Sequence, residues 1–193
     1  MPSAFDRSIF DEPDSLEASA SKKKFKVAPT FVIDLVVSAL FVAAVLPTWR
    51  ASIALSLGVN LVSFILGIAV CGCYLAKVLI VSHLDRRGGD ARAYVKSSAL
   101  VTDGPYGWSR HPTYAIAMLQ FLLWSALALF LQAFMPWNPL MLAAALVLPV
   151  AFYWVNDRIV MPTEEAMLRQ LHPEDFDAYA GRVRRWFGRY SAA

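Results

Sequence analysis

Two short blocks of this chain carry residue types able to do chemistry. The first, Gly104-Pro105-Tyr106-Gly107-Trp108-Ser109-Arg110-His111-Pro112-Thr113-Tyr114, gathers a guanidinium, an imidazole and three aromatic faces where a turn-rich stretch gives way to an apolar one. An Arg-His pair ahead of a proline-started helix presents fixed cationic and hydrogen-bonding groups, and the helix N-terminus adds N–H donors suited to a carboxylate or phosphate. Tyr106, Trp108 and Tyr114 offer π faces to a cation or an adenine ring. The second block, Glu164-Glu165, puts two carboxylates in the first turn of a helix predicted to start at Pro162, with Thr163 as its cap. One carboxylate there can take an ammonium or a ribose hydroxyl. Adjacent helical residues point about 100° apart, so a single carboxylate is expected to face a site. Each block also has a plainer reading: an interfacial belt of aromatic and basic residues for the first, and acids that stabilise a helix start by about 0.3–1 kcal/mol for the second.

Other polar residues carry weaker signals. His83, His111 and His172 are too scattered to form a zinc site, so no metal is expected. No nucleophile elbow, phosphate loop or dinucleotide fingerprint occurs. Arg182 and its neighbours read first as contacts to lipid headgroups. Asn60 and Asp34 lie in apolar stretches, where polar groups cost energy and mark candidate sites. Cys71 and Cys73, the only cysteines, fall one residue apart on a predicted helix, which points them away from each other and suits packing rather than a disulfide.

The elements that must position these residues are membrane helices. The chain is 58% hydrophobic and 17% charged over 193 residues, too apolar for an ordinary soluble domain. A helix needs about 20 apolar residues to cross a hydrocarbon core of ~30 Å. Four stretches qualify: 30–46, 51–81, 113–134 and 140–160. Residues 51–81 exceed the need, so that helix should tilt or project into the cytosol. Of the 18 Lys and Arg residues, all but Arg50 then fall on one side or, as Lys77 does, near that side's end of a span. Positive charge is retained in the cytoplasm during insertion, so both termini are expected there, with an inner-membrane location if the source is bacterial. Trp49 and Trp137 would mark the outer interface, Trp108 and Trp186 the inner one.

The fold class expected is therefore all-α, a multi-pass membrane helical bundle of about four transmembrane helices with cytosolic C-terminal amphipathic helices. Residues 1–28, acidic and then basic, read as a flexible cytosolic tail without a signal-peptide pattern. Residues 29–193 read as the membrane domain. The formal charge of +3 fits topology and anionic lipid, and no base-reading motif suggests nucleic acid. A polar loop of about thirty residues joins two helical hairpins, a length that is usually functional. Pro149 predicts a kink in the fourth span, opening space for a cleft. A last amphipathic helix, starting at His172-Pro173, is expected to run through Phe176, Tyr179, Ala180, Val183, Trp186 and Phe187, so that C-terminal cytosolic helices cover 163–188.

Taken together, Leu100-Val101-Thr102-Asp103-Gly104-Pro105-Tyr106 with Ser109-Arg110-His111-Pro112-Thr113-Tyr114 resembles the cofactor loop of the isoprenylcysteine carboxyl methyltransferase and phospholipid methyltransferase group of integral membrane enzymes. Downstream, Pro162 to Leu168, then Phe176, Tyr179 and Arg182-Val183-Arg184-Arg185-Trp186, are similar to that group's C-terminal signature. The resemblance covers about residues 75 to 190. It implies an S-adenosylmethionine-dependent methyltransferase acting on a lipophilic or lipid-anchored acceptor, either a prenylcysteine-type carboxylate or a phospholipid amine. It implies a cofactor pocket lined by Leu100, Val101, Tyr106, Arg110, His111, Pro112, Tyr114, Glu164 and Glu165, with Arg110, Glu165 and Arg182 as candidate catalytic residues and Tyr179 close by. Ile116 stands where the family often has glycine, and His172-Pro173-Glu174 where a Phe-Gly pair is common.

Two other functions stay compatible with these residues. A membrane reductase would use NADPH on a sterol-like or other lipophilic substrate, and a non-catalytic membrane protein would keep the fold alone. The acceptor and the oligomeric state are left open by the sequence.

Overall fold

The computed structural model describes residues 57–89, 99–134 and 136–190, together with helical positions 35, 36, 38, 39 and 43. The tail 1–28, most of the predicted span 30–46, Asp34, the connection at 47–50 with Trp49, and loop residues 90–98 lie outside the described residues. Among the described residues the fold is all-helical, and the one β-type pairing is an isolated bridge between Val183 and Arg189.

Helix α1 (Leu57–Arg86) is the long apolar helix the sequence predicts, and it continues past Val81. At ~1.5 Å per residue its 30 residues exceed a ~30 Å core, so its basic end stands clear of the hydrocarbon. It stops in a Schellman arrangement, where Gly89 N–H donates to Leu84 O at 3.0 Å and Gly88 N–H to Asp85 O at 3.3 Å. Gly88 takes φ 78°, a left-handed conformation that favours glycine.

Helix α2 (Pro112–Gln132) starts on a proline, whose missing N–H is one the first turn would leave unpaired anyway. Helix α3 (Pro139–Val155) starts at Asn138, whose side chain accepts Met141 N–H at 3.2 Å. The α2 helix packs between α1 and α3. Val70, Phe121, Trp124, Leu127, Leu131, Met141 and Ala145 form the shared core, and Ser125 Oγ ties α2 to α3 by donating to Ala145 O at 2.7 Å. Gln120 donates to Ser38 Oγ at 2.9 Å, which places position 38 against α2. The outer faces expose Leu61, Phe64, Ile65, Leu122, Val147, Val150 and Trp154. Apolar faces this large belong in lipid rather than water. Three described helices are long and apolar enough to cross a membrane. Cys71 is exposed and Cys73 buried.

The structure bears on three local expectations. First, Pro149 lies buried inside α3, which runs on to Val155, and a π-turn over Asn156–Val160 follows it. Second, α4 (Met161–Leu171) follows that turn without a break, so Pro162 is not a fresh start. Thr163 does not cap it either, because Thr163 Oγ1 bonds back to Ile159 O at 2.7 Å. Third, α5 (Pro173–Ala180) ends eight residues before Gly188, so the helix expected through 188 is absent there. Phe176, Tyr179 and Val183 bury themselves in the protein, and residues 182–190 turn back in a hairpin-like strap with Gly188 at φ 86°. Within it Val183 is buried and Trp186 half-buried, while Phe187 and Tyr190 stay exposed.

Candidate active site

Four segments from distant parts of the sequence meet beyond the basic end of α1. The loop is fixed first. Asp103 bonds Arg87 Nη2 at 2.7 Å and His83 Nε2 at 3.2 Å, both near the end of α1. Gly104 follows at φ 56°, and a Cβ there would lie 2.8 Å from the His83 ring, so two independent constraints call for glycine. A single 3-10 turn, Gly104–Gly107, carries the chain to Arg110 and His111.

The C-terminal strap holds the other side of the loop through main-chain hydrogen bonds. Arg110 N–H donates to Arg184 O at 3.0 Å, His111 N–H to Arg185 O at 3.3 Å, and Gly188 N–H to Trp108 O at 2.8 Å. Ser109 is buried and donates its hydroxyl to Arg185 O at 3.1 Å. Tyr179 donates to Tyr106 O at 2.7 Å, and Arg189 Nε to Gly107 O at 2.8 Å. The Tyr179 hydroxyl is therefore a buried donor, and burial pushes its pKa up, well beyond the physiological range.

At the centre stands Glu165, 8% exposed at its side chain. Its Oε1 meets Arg110 Nη1 at 3.2 Å, His111 Nε2 at 3.2 Å and Arg185 Nε at 3.0 Å, while Oε2 meets Arg185 Nη2 at 2.9 Å. The two Arg185 bonds form a bidentate fork, the strongest arrangement of this pair. Glu164 has lighter company, accepting from Tyr114 Oη at 2.7 Å and facing His111 Nδ1 at 3.4 Å. Burial alone would lower the His111 pKa, but hydrogen bonds to Glu164 and Glu165 and their negative charge outweigh it and raise it above the ordinary imidazole range. Both ring nitrogens then serve as donors, one to each carboxylate. Arg110 Nε is buried without a hydrogen-bond partner, so one guanidinium donor at the site is uncommitted.

The arrangement brings together Arg110, His111, Tyr114, Glu164 and Glu165, five of the residues that the family resemblance implies for one pocket. Pro112 is buried at the head of α2 and fixes the approach of His111. Leu100 packs against Phe176, Tyr179 and Val183, and the next residue, Val101, is buried. Tyr106 contributes its carbonyl to Tyr179. Arg182 is not brought to the carboxylates. Its Nε bonds Ala178 O at 3.2 Å and its side chain lines a cavity of about 350 Å³ with Thr102, Tyr179 and Arg189.

Arg185 is the residue that sequence reasoning missed. A helical period of three to four groups Arg182 with Tyr179, whereas an extended strap alternates sides every residue. Val183 and Arg185 therefore turn inward, and Arg182 and Arg184 outward. The Arg-Val-Arg-Arg alternation itself was the signal.

The family model described as isoprenylcysteine carboxyl methyltransferase (ICMT) family matches residues 65–170. The match begins about ten residues before the resemblance noted from the motifs and stops before the strap. It contains Arg110, His111, Tyr114, Glu164 and Glu165, but not Arg185. No curated protein and no solved structure matches the chain. Since the match spans more than half of the chain, and its polar residues converge on one buried cluster beside three membrane helices, this integral membrane protein belongs to the isoprenylcysteine carboxyl methyltransferase family.

Proposed function

We propose that the protein transfers a methyl group from S-adenosylmethionine to a lipophilic or lipid-anchored acceptor, a prenylcysteine-type carboxylate or a phospholipid amine. The observation that carries this reading is the buried cluster of two carboxylates with Arg110 and His111, beside an uncommitted Arg110 donor. The bound cofactor supplies an activated sulfonium methyl, released to a nucleophile as the sulfur keeps the bonding electron pair.

The residues fit an amino-acid zwitterion. Arg110 Nε is a charged donor without an acceptor, suited to a carboxylate. Glu164 keeps lone pairs beyond its bonds to Tyr114 and His111 and suits an ammonium. Glu165 is already engaged by Arg110, His111 and Arg185, so it serves to hold those cations in place. What remains for the protein is to align two reactants and exclude water, and positioning alone accounts for up to ~7–11 kcal/mol of barrier. A carboxylate acceptor needs no general base, whereas an ammonium headgroup must first lose a proton.

On charge grounds the site lies on the cytosolic side, with both termini there, residues 29–193 forming the catalytic unit and 1–28 a tail. The test is thermal unfolding in detergent with S-adenosylhomocysteine or with NADPH. Stabilisation by the former alone is expected. It should persist in Arg182→Ala and be lost in Arg185→Ala. Stabilisation by NADPH alone overturns the reading.

A further inference from the structure

The helix that carries Glu164 and Glu165 is wound wide just before them. Met161 N–H reaches back five residues to Asn156 O, and Pro162, next in line, has no N–H at all. In a regular α-helix Met161 would serve Asp157 O, and in a continued wide pattern residue 162 would. Asp157 O is thus left without a donor from its own helix. Arg185 takes it, with Nη1 at 3.3 Å.

The same turn holds the strap twice more. The Asp157 carboxylate accepts Trp186 Nε1 at 2.9 Å and lies 3.6 Å from Arg185 Nη1, while Tyr153 stacks on Trp186 with ring centroids 5.2 Å apart. From that seat Arg185 reaches both oxygens of Glu165. A wide turn also accommodates one extra residue, which rotates everything after it by about 100° relative to the helix before.

We infer that the π-turn, enforced by Pro162, is a positioning device: it aims both carboxylates at Arg110 and His111 and opens the Asp157 carbonyl as a socket for Arg185. Arg185 is accordingly a positioning residue that engages Glu165 and leaves Glu164 to the cofactor. This rests on the methyltransferase reading and adds to it how the site is aimed.

Two variants of the full chain test it. Pro162→Ala restores an N–H and removes the ring, so a regular helix becomes favourable, and deletion of Arg158, an exposed residue of the turn, shortens it by one. For each, melting temperature and S-adenosylhomocysteine affinity by titration calorimetry are measured in detergent. Pro162→Ala should melt at or above the native temperature yet bind about 10- to 100-fold more weakly, the scale on which misplacement of site groups acts. A merely structural role for the turn would not separate those two readouts. If the Arg158 deletion does not fold, Arg185→Met takes its place, with the same loss of affinity expected. Native affinity in Pro162→Ala and in the companion variant overturns the inference while the function stands. Absence of binding to the native protein overturns both.

Discussion

Glu164 and Glu165 are neighbours with the same side chain, yet their surroundings predict opposite consequences when each is neutralised. Glu165→Gln keeps the shape but removes the charge that faces Arg110, His111 and Arg185. Breaking a buried ion pair from one side costs about 3–5 kcal/mol, mainly because the partner charge stays behind unpaired. Arg185 is 29% exposed and can recruit water, so the lower end, about 3 kcal/mol, is the expected loss. For a chain of this size that lowers the melting temperature by roughly 6–12 °C. Glu164→Gln disturbs only the bonds to Tyr114 and His111, a loss of about 1 kcal/mol and roughly 2–4 °C. Its effect should appear in cofactor affinity, which is predicted to fall at least about tenfold, or 1.4 kcal/mol. The assay is thermal unfolding at one fixed scan rate, because membrane proteins often unfold irreversibly, together with calorimetric titration of S-adenosylhomocysteine. A melting shift under about 2 °C in Glu165→Gln, or unchanged affinity in Glu164→Gln, refutes the division of labour.

The raised pKa of His111 predicts a pH dependence. A group whose pKa is higher folded than unfolded stabilises fully below the unfolded value of about 6.5, and that contribution is lost as pH rises through the folded value. Melting temperature should therefore decline with rising pH above neutrality, and His111→Gln should flatten the decline. Gly104→Ala forces a left-handed residue and a 2.8 Å approach to the His83 ring, with an expected cost of about 1–2 kcal/mol from the backbone alone. Thermal unfolding of Gly104→Ala in native and His83→Ala backgrounds checks this, since the second background relieves only the steric part.

Much of the architecture could be read from hydropathy alone. The long apolar runs that became α1, α2 and α3 admit no competing element, and Pro112 and Asn138 mark two of their starts. That the loop motif and the Glu pair meet was implied by the family resemblance, since neither block by itself requires the other. Residues 182–188 were harder. Their apolar spacing fits a helix, but main-chain pairing with Trp108, Arg110 and His111 replaces helical bonds with cross-links, a tertiary choice that local periodicity does not encode. Pro162 misled for a related reason. A proline followed by Thr-Glu-Glu has the chemistry of a helix start, and only the continuity with α3 shows it inside one, with the lost donor absorbed by a wider turn.

The strap that carries Arg185 follows every described membrane helix in sequence and contributes three main-chain hydrogen bonds to the loop as well as the guanidinium on Glu165. A nascent chain still being translated thus has its helices in the bilayer before Glu165 gains its bidentate partner. Assembly of the pocket therefore waits for the strap, and a fragment truncated before residue 182 would sit in the membrane with Glu165 held by Arg110 and His111 alone.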